Sequence, residues 1–233
     1  MMRKKPMLAY PVNKKPIDYS KPVFVQPKLD GVRCVIQCEQ VNHYSKPVFV
    51  QPKLDGVRCV IQYDSDPNNL YHPKHLRVQA FSRTGKVWKN IDHILFNLYP
   101  WFILNPNVVL DGELYNHDLK DDFNKIISLV RKSKPTDQDR LEAEELTQFH
   151  CYDIIDETLP FEERDRFIEQ NVPRSHCITH VITTLVESEK FAKHCHEVNL
   201  KAGYEGSILR TNDTYACKRS HNLRKFKDFH DAE

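Results

Sequence analysis

The stretch Val48-Phe49-Val50-Gln51-Pro52-Lys53-Leu54-Asp55-Gly56-Val57-Arg58-Cys59-Val60-Ile61-Gln62 decides how this chain is read. It is rich in β-branched residues and broken by Pro52 and Gly56, which predicts a strand, a turn and a second strand. Its centre, Lys-Leu-Asp-Gly-Val-Arg, sets an amine, a carboxylate, a glycine and a guanidinium within one short span. A lysine attacks as a nucleophile only when deprotonated. Its ordinary pKa is ~10.4, so burial or neighbouring cations have to lower it. Gly56 lets the backbone turn sharply. Arg58 can then fold back beside the amine and grip a phosphate with two parallel hydrogen bonds. A plain hairpin with a charged tip is the other reading of the same residues.

The stretch is also duplicated. Residues 19–37 repeat without change at 44–62, so Lys28 is the double of Lys53. One cleft has room for one nucleophilic strand. The second copy is favoured because it reaches the next predicted strand, 76–82, through a polar loop of ordinary size. Use of Lys28 would insert a whole spare β-unit between two adjacent strands, against the usual lengths of connections. The proline-bearing arm 1–18 lies directly upstream of the first copy, which argues the other way. Residues 1–43 are therefore read as an arm plus a spare β-segment, and 44–233 as the working domain.

The chain has 233 residues, 40% hydrophobic and 28% charged, which describes an ordinary globular protein of one or two domains. No apolar run approaches the ~18 residues of a membrane span. The basic N-terminus lacks the apolar centre of a secretory signal. Seven cysteines without a regular framework suggest reduced thiols and a cytoplasmic setting. Net charge is only +2, but 218–227 is basic and 137–145 acidic. A basic run beside site residues reads as an anion contact, and taken alone as a solvated face.

Hydrophobic spacing places the other elements. Strands are expected at 107–115, 148–155, 179–185, 206–211 and 223–229. Helices are expected at 91–98, 123–130, 136–146, 160–170 and 188–202. Strands and helices mix without strict alternation, which favours an α+β fold over a doubly wound sheet.

Further residues carry chemistry. Ser82-Arg83-Thr84-Gly85-Lys86 forms a basic turn after a strand. Asp111-Gly112-Glu113 closes a buried-looking strand and suits a hydroxyl or a hard cation; read alone, it also fits a turn. Tyr152-Asp153 sets an aromatic at a strand end, where it stacks on a purine or simply packs. Glu205-Gly206 opens a strand and offers a second metal carboxylate. Lys225 and Lys227 alternate along a strand and so face one side, fit for a polyphosphate or for guarding a sheet edge. His194-Cys195-His196 lies on one helix, where consecutive side chains diverge, and no Cys-x2-Cys pair exists, so a structural zinc site is not expected.

Each element alone is weak. In order, Lys-x-Asp-Gly-x-Arg, Ser-Arg-x-Gly, Asp-Gly-Glu, aromatic-Asp, Glu-Gly and Lys-x-Lys resemble the covalent nucleotidyltransferases, which include ATP-dependent DNA ligases, RNA ligases and mRNA capping enzymes. Asp-Gly-Glu-Leu-Tyr at 111–115 and Lys-Phe-Lys-Asp-Phe-His-Asp-Ala-Glu at 225–233 look most like the small viral and phage DNA ligases. The resemblance implies an ATP-grasp-like adenylation domain, two antiparallel sheets flanked by helices around a nucleotide cleft. Such domains usually continue into an OB-fold; this chain ends at Glu233, where that domain is expected to begin, so the OB-fold is read as absent. It implies that Lys53 takes AMP from ATP and passes it to the 5′-phosphate of nicked duplex DNA, with Mg²⁺ present throughout. Asp55, Arg58 and Arg83 would contact sugar or phosphate, and Gln51 would lie along the adenine edge. Glu113 would hold the ribose and, with Glu205, the metal. Tyr152 would stack on adenine, and Lys225 and Lys227 would hold the α-phosphate. The chain is read as a monomer away from membranes. RNA ligation, RNA capping and an impaired nick- or nucleotide-binding remnant are the alternatives.

Overall fold

A computed structural model describes residues 47–64, 77–120 and 122–226. The first copy of the repeat, Lys28, the arm 1–18, the loop 65–76 and Lys227 lie outside the described residues. Nine strands form two sheets. β1 (Val48–Lys53), β7 (Thr184–Val186), β8 (Gly206–Thr211) and β9 (Leu223–Phe226) make a four-stranded sheet in the order β7-β1-β8-β9. β2 (Val57–Tyr63), β3 (Val78–Phe81), β4 (Val109–Tyr115), β5 (Gln148–Ile154) and β6 (Ile178–His180) make a five-stranded sheet in the order β3-β2-β4-β5-β6. All neighbours are antiparallel except β5 and β6, which run parallel. The fold is thus α+β with two sheets, the second of them mixed at one edge.

The opening stretch is two strands, as its residues suggest, but not a hairpin. β1 pairs with β7 and β8 in one sheet, while β2 pairs with β3 and β4 in the other. Leu54-Asp55-Gly56 is the crossing between sheets. Gly56 is needed there for a different reason than a sharp turn. It is not among the glycines with positive φ. A Cβ at this position would lie 2.6 Å from both Glu113 Cγ and the Leu114 carbonyl oxygen. The glycine therefore lets the chain press against β4.

The five-stranded sheet carries the main core. Cys59, Ile61, Leu110, Leu114, Phe149 and Cys151 from its strands meet Ile94, Leu95, Leu98 and Phe102 of α1 (Asp92–Leu104). The sequence predicts this helix only to 98, ahead of Pro100. The structure carries it through that proline. A proline inside a helix loses one backbone bond, and burial of Phe102 beyond it offsets the loss. α2 (Phe123–Val130) is capped by Asp122, and α3 (Asp137–Leu146) begins with a capping box between Thr136 and Asp139. α4 (Phe161–Asn171) follows Pro160, and α5 (Glu189–Lys201) follows the Ser188 cap and covers the smaller sheet through Val48, Val50, Val186 and Ala192.

One predicted strand, 179–185, is in fact two. β6 belongs to the five-stranded sheet and β7 to the other, and residues 181–183 cross between them. Alternation along a strand says which residues share a face, not which sheet the strand joins. The five described cysteines are free, and among the described residues no helix is long and apolar enough to cross a membrane.

Candidate active site

Pleating sends alternate side chains of the smaller sheet to opposite faces. Val48 and Val50 meet α5. Gln51 and Lys53 of β1, Ile208 and Arg210 of β8, and Leu223 and Lys225 of β9 instead line a cavity of about 490 Å³. The other sheet supplies its opposite wall through Arg58 of β2, Glu113 of β4 and Tyr152 of β5. Arg83 and Thr84 of the turn after β3, Trp88, and Arg131 at the end of α2 complete it.

Tyr152 reaches this cavity because of a bulge. β4 and β5 pair Asp111 with Asp153 and then Gly112 with Cys151, so Tyr152 is the extra residue on β5. A bulge of this kind re-aims a side chain and bends its strand. Gly112 permits it, because a Cβ there would stand 2.5 Å from both the Phe149 ring and the His150 carbonyl. Asp-Gly-Glu is therefore the middle of β4 and not a turn. It puts Asp111 and Glu113 on one face, two residues apart.

The charges on the wall are tightly arranged. Lys53 Nζ forms an ion pair with Glu205, which stands just before β8. Arg58 is held by Asp111, Nε to Oδ1 at 2.9 Å and a terminal nitrogen to Oδ2 at 2.5 Å. The Tyr215 hydroxyl donates to Asp111 at 2.8 Å, and that of Tyr152 at 3.4 Å. Two nitrogens of the Arg58 fork thus go to a buried carboxylate. Burial, then the neighbouring Asp111 carboxylate, push Glu113 up to about 8, against the pull of Arg58. Burial and the same carboxylate push the Tyr152 phenol well above its ordinary range.

Behind the cavity lies a buried network. Asp153 is fully buried and takes Arg164 at 2.7 and 3.2 Å and Arg210 at 2.5 Å. Arg210 also donates to the Gln51 carbonyl oxygen at 2.7 Å, and its guanidinium lies 5.4 Å from the centre of the Tyr152 ring. The Gln51 amide nitrogen donates to the Tyr152 main-chain carbonyl and to Thr183.

A model of the ATP-dependent DNA ligase domain matches residues 37–227. The chain belongs to that family. The match takes in Lys53 and leaves Lys28 outside. No curated protein matches this ligase domain. Among solved structures it resembles a chain named Pmar-Lig_Pre, with TM-score 0.60 and 22% identity over 78% of this chain and 42% of that one. It resembles a Chlorella virus DNA ligase-adenylate, with TM-score 0.58 and 18% identity over 82% and 64%. It also resembles an archaeal ATP-dependent RNA ligase, with TM-score 0.52 and 18% identity over 79% and 43%. The ligase domain therefore spans less than two thirds of the length of each of these three. At such identities the likeness concerns the fold.

Of the residues singled out from sequence, Gln51, Lys53, Arg58, Arg83, Glu113, Tyr152 and Lys225 share the one cavity. Glu205 joins through Lys53. Asp55 is exposed at the crossing between sheets and is not on the cavity wall. Arg210, Arg131, Trp88, Asp111 and Tyr215 went unassigned or unread. Arg210 had a signal, being a charged residue on the same strand face as Ile208. Tyr215 and Arg131 had none, since loop and helix-end positions acquire meaning only from what they face.

The wall suits a nucleotide. Cations without an ion-pair partner among the described residues would suit a polyphosphate, and the Tyr152 ring would suit a base. For Mg²⁺, Glu113 and Glu205 would be the oxygen donors. No group of three His, Cys, Asp or Glu that could hold a metal occurs among the described residues. Two carboxylates completed by phosphate oxygens and water fit the habit of Mg²⁺.

Proposed function

We propose that this ligase domain takes AMP from ATP onto Lys53 and delivers it to the 5′-phosphate of a nick in duplex DNA, where a 3′-hydroxyl displaces it. The observation that carries this reading is the placement of the Lys53 amine. It stands at the end of β1 on a cavity that also holds three cations with no ion-pair partner among the described residues, and the Tyr152 ring.

In the resting arrangement Lys53 is paired with Glu205. Attack needs a neutral amine, and the Glu205 carboxylate is the base within reach for the first proton. The nitrogen then bonds to the α-phosphorus and the bond to the bridging oxygen of pyrophosphate breaks. The second amine proton leaves to solvent. Lys225, Arg83 and Arg131 face the charge that spreads over the phosphates. Mg²⁺ would be held by Glu113, and by Glu205 in the states where Glu205 carries no proton, and would neutralise part of the same charge. Glu113, whose carboxyl burial raises to about 8, stands on the wall where a ribose hydroxyl or a cation would meet it. Tyr152, fixed through Asp111 and flanked by Arg210, presents its ring to the base.

Incubation with ATP and Mg²⁺, followed by mass mapping of peptides, tests this. An AMP adduct on Lys53 is expected. An adduct on Lys28 would overturn the choice of copy. Absence of any adduct, with failure to seal pre-adenylylated nicks, would favour the impaired remnant. The archaeal RNA ligase shares this fold, so RNA ligation is the second reading; sealing of nicked RNA in preference to nicked DNA would establish it.

A further inference from the structure

A ring of contacts closes around the Lys53–Glu205 pair. After Lys53 the chain enters the crossing 54–56, and a Cβ at Gly56 would stand 3.2 Å from Tyr115 Cβ of β4. The Tyr115 hydroxyl lies 2.8 Å from His117 Nδ1. His117 Nε2 lies 3.0 Å from the Ala202 carbonyl oxygen at the end of α5. Three residues on is Glu205, whose carboxylate pairs with Lys53. The contacts thus return to the amine they left. His117 is the link between β4 of one sheet and the segment that leads into β8 of the other.

Chemistry sets the direction of each bond. A main-chain carbonyl only accepts, so His117 Nε2 carries the hydrogen. In the neutral ring Nδ1 is then an acceptor, and the Tyr115 hydroxyl donates to it. Both sides of the link are firmly placed. Tyr115 is buried and meets the His150 ring edge to face at 5.2 Å. The short 3-10 turn His117–Leu119 is pinned by Asn116, whose side chain accepts from the Asp118 amide and donates to the Leu146 carbonyl, both at 3.0 Å. On the other side, the Tyr204 ring lies 4.5 Å from the His117 ring, and a Cβ at Gly203 would lie 2.7 Å from Lys120 Nζ. Residues 202–204 are thus held along their length by the 117–120 turn.

Strand pairing does not do this work. The ladder between β1 and β8 ends with Lys53 opposite Gly206, so Glu205 stands one residue outside it. We propose that His117 is a positioning residue for the Lys53 amine. By tying residues 202–204 to β4, it keeps the Glu205 carboxylate on Lys53 Nζ. The inference rests on the reading of Lys53 as nucleophile and Glu205 as its base, and His117 acts only through that pair.

Two readouts on the whole chain test it. The first needs no nucleotide. Brief labelling with acetic anhydride, followed by mass mapping, compares Lys53 with Lys132, whose pair with Asp139 lies outside the ring of contacts. His117→Phe keeps a ring against Tyr204 and loses both nitrogen bonds. Labelling of Lys53 relative to Lys132 is expected to rise about fivefold, the worth of one hydrogen bond. His117→Gln keeps an N–H for Ala202 and is expected to restore most of the protection. Glu205→Gln already releases the amine, so adding His117→Phe to it should change nothing further. General loosening of the fold would act alike in both backgrounds. If His117→Phe does not fold, Tyr115→Phe removes one hydroxyl and should shift the labelling in the same direction. The second readout is lysyl-AMP formation. Its rate at saturating ATP should fall in His117→Phe by about the same factor, while the ATP concentration for half-saturation stays put. Unchanged labelling in the folded variants, or an equal rise with and without Glu205, overturns the inference while the adenylylation reading stands. The expected labelling pattern with no adduct in wild type supports the positioning by His117 and overturns the adenylylation reading instead.

Discussion

Six cations line one cavity, and they fall into two sets. Lys53, Arg58 and Arg210 are each tied to a carboxylate: Glu205, Asp111 and Asp153. Arg83, Arg131 and Lys225 have no such partner among the described residues. The first set sits on strand interiors or at a strand end, and two of its carboxylates are almost wholly buried. A buried carboxylate without a counter-charge is costly, so these pairs hold geometry in place. The second set sits on a turn, at a helix end and on an edge strand, where water solvates an unpaired charge. Those three are free to meet a polyanion. One cavity thus holds paired cations apart from unpaired ones.

The sharpest way to break this division is at Lys53. Lys53→Arg keeps a cation beside Glu205 but removes the usable amine, so the AMP adduct should vanish entirely. Lys28→Arg should leave it intact, and peptide mapping of both variants reads the outcome. Next comes Arg58→Ala. It leaves Asp111, 1% exposed, with only the two tyrosine hydroxyls. A loss of about 3 kcal/mol in stability is expected by denaturant unfolding. A loss below 0.5 kcal/mol would mean that the pair is not structural.

The unpaired set should behave in the opposite way. Lys225→Ala or Arg131→Ala should weaken ATP binding by about tenfold, the worth of one charge-assisted contact. Neither should move the melting temperature by more than about 1–2 °C. Titration at rising salt should erase part of the difference. A drop in stability without a change in binding would merge the two sets.

The smallest effect concerns Asp165, which has no ion-pair partner among the described residues but accepts a hydrogen bond from Thr183. Burial raises it to about 6, against the hydrogen bond from Thr183. A carboxyl raised in the folded state lends stability below its unfolded pKa of 3.8, and that stability is lost as pH climbs through about 6. Asp165→Asn keeps an acceptor for Thr183 and cannot ionise. It should be more stable than wild type at pH 7.5, by on the order of 1 kcal/mol, and the gap should close near pH 4. A gap that does not vary with pH would exclude Asp165 as its source.

Much of this arrangement was legible in the residues. Patterning located most elements, because burial of one face imposes a period on a strand or helix. The order of short motifs pointed to the family, since each is a chemical group at an element end or crossing. Harder to see was how strands are shared between sheets. Lys53 and Arg58 look like two sides of a hairpin and belong to different sheets. Residues 179–185 look like one strand and are two. Arg58 looks like a phosphate clamp, and two of its nitrogens go to Asp111. Arg210, unassigned from sequence, turns out to join Gln51, Tyr152 and Asp153.

By itself, the sequence determined which groups are available: one amine after a strand, two carboxylates around Gly112, an aromatic before Asp153 and a basic edge strand. Those follow from local chemistry and from periods of two and 3.6 residues. Only the tertiary structure decided which charges are paired and which are free. Pairing depends on contacts between residues 53 and 205, 58 and 111, and 210 and 153. Such distances are set by packing across sheets, and no local rule of spacing encodes them.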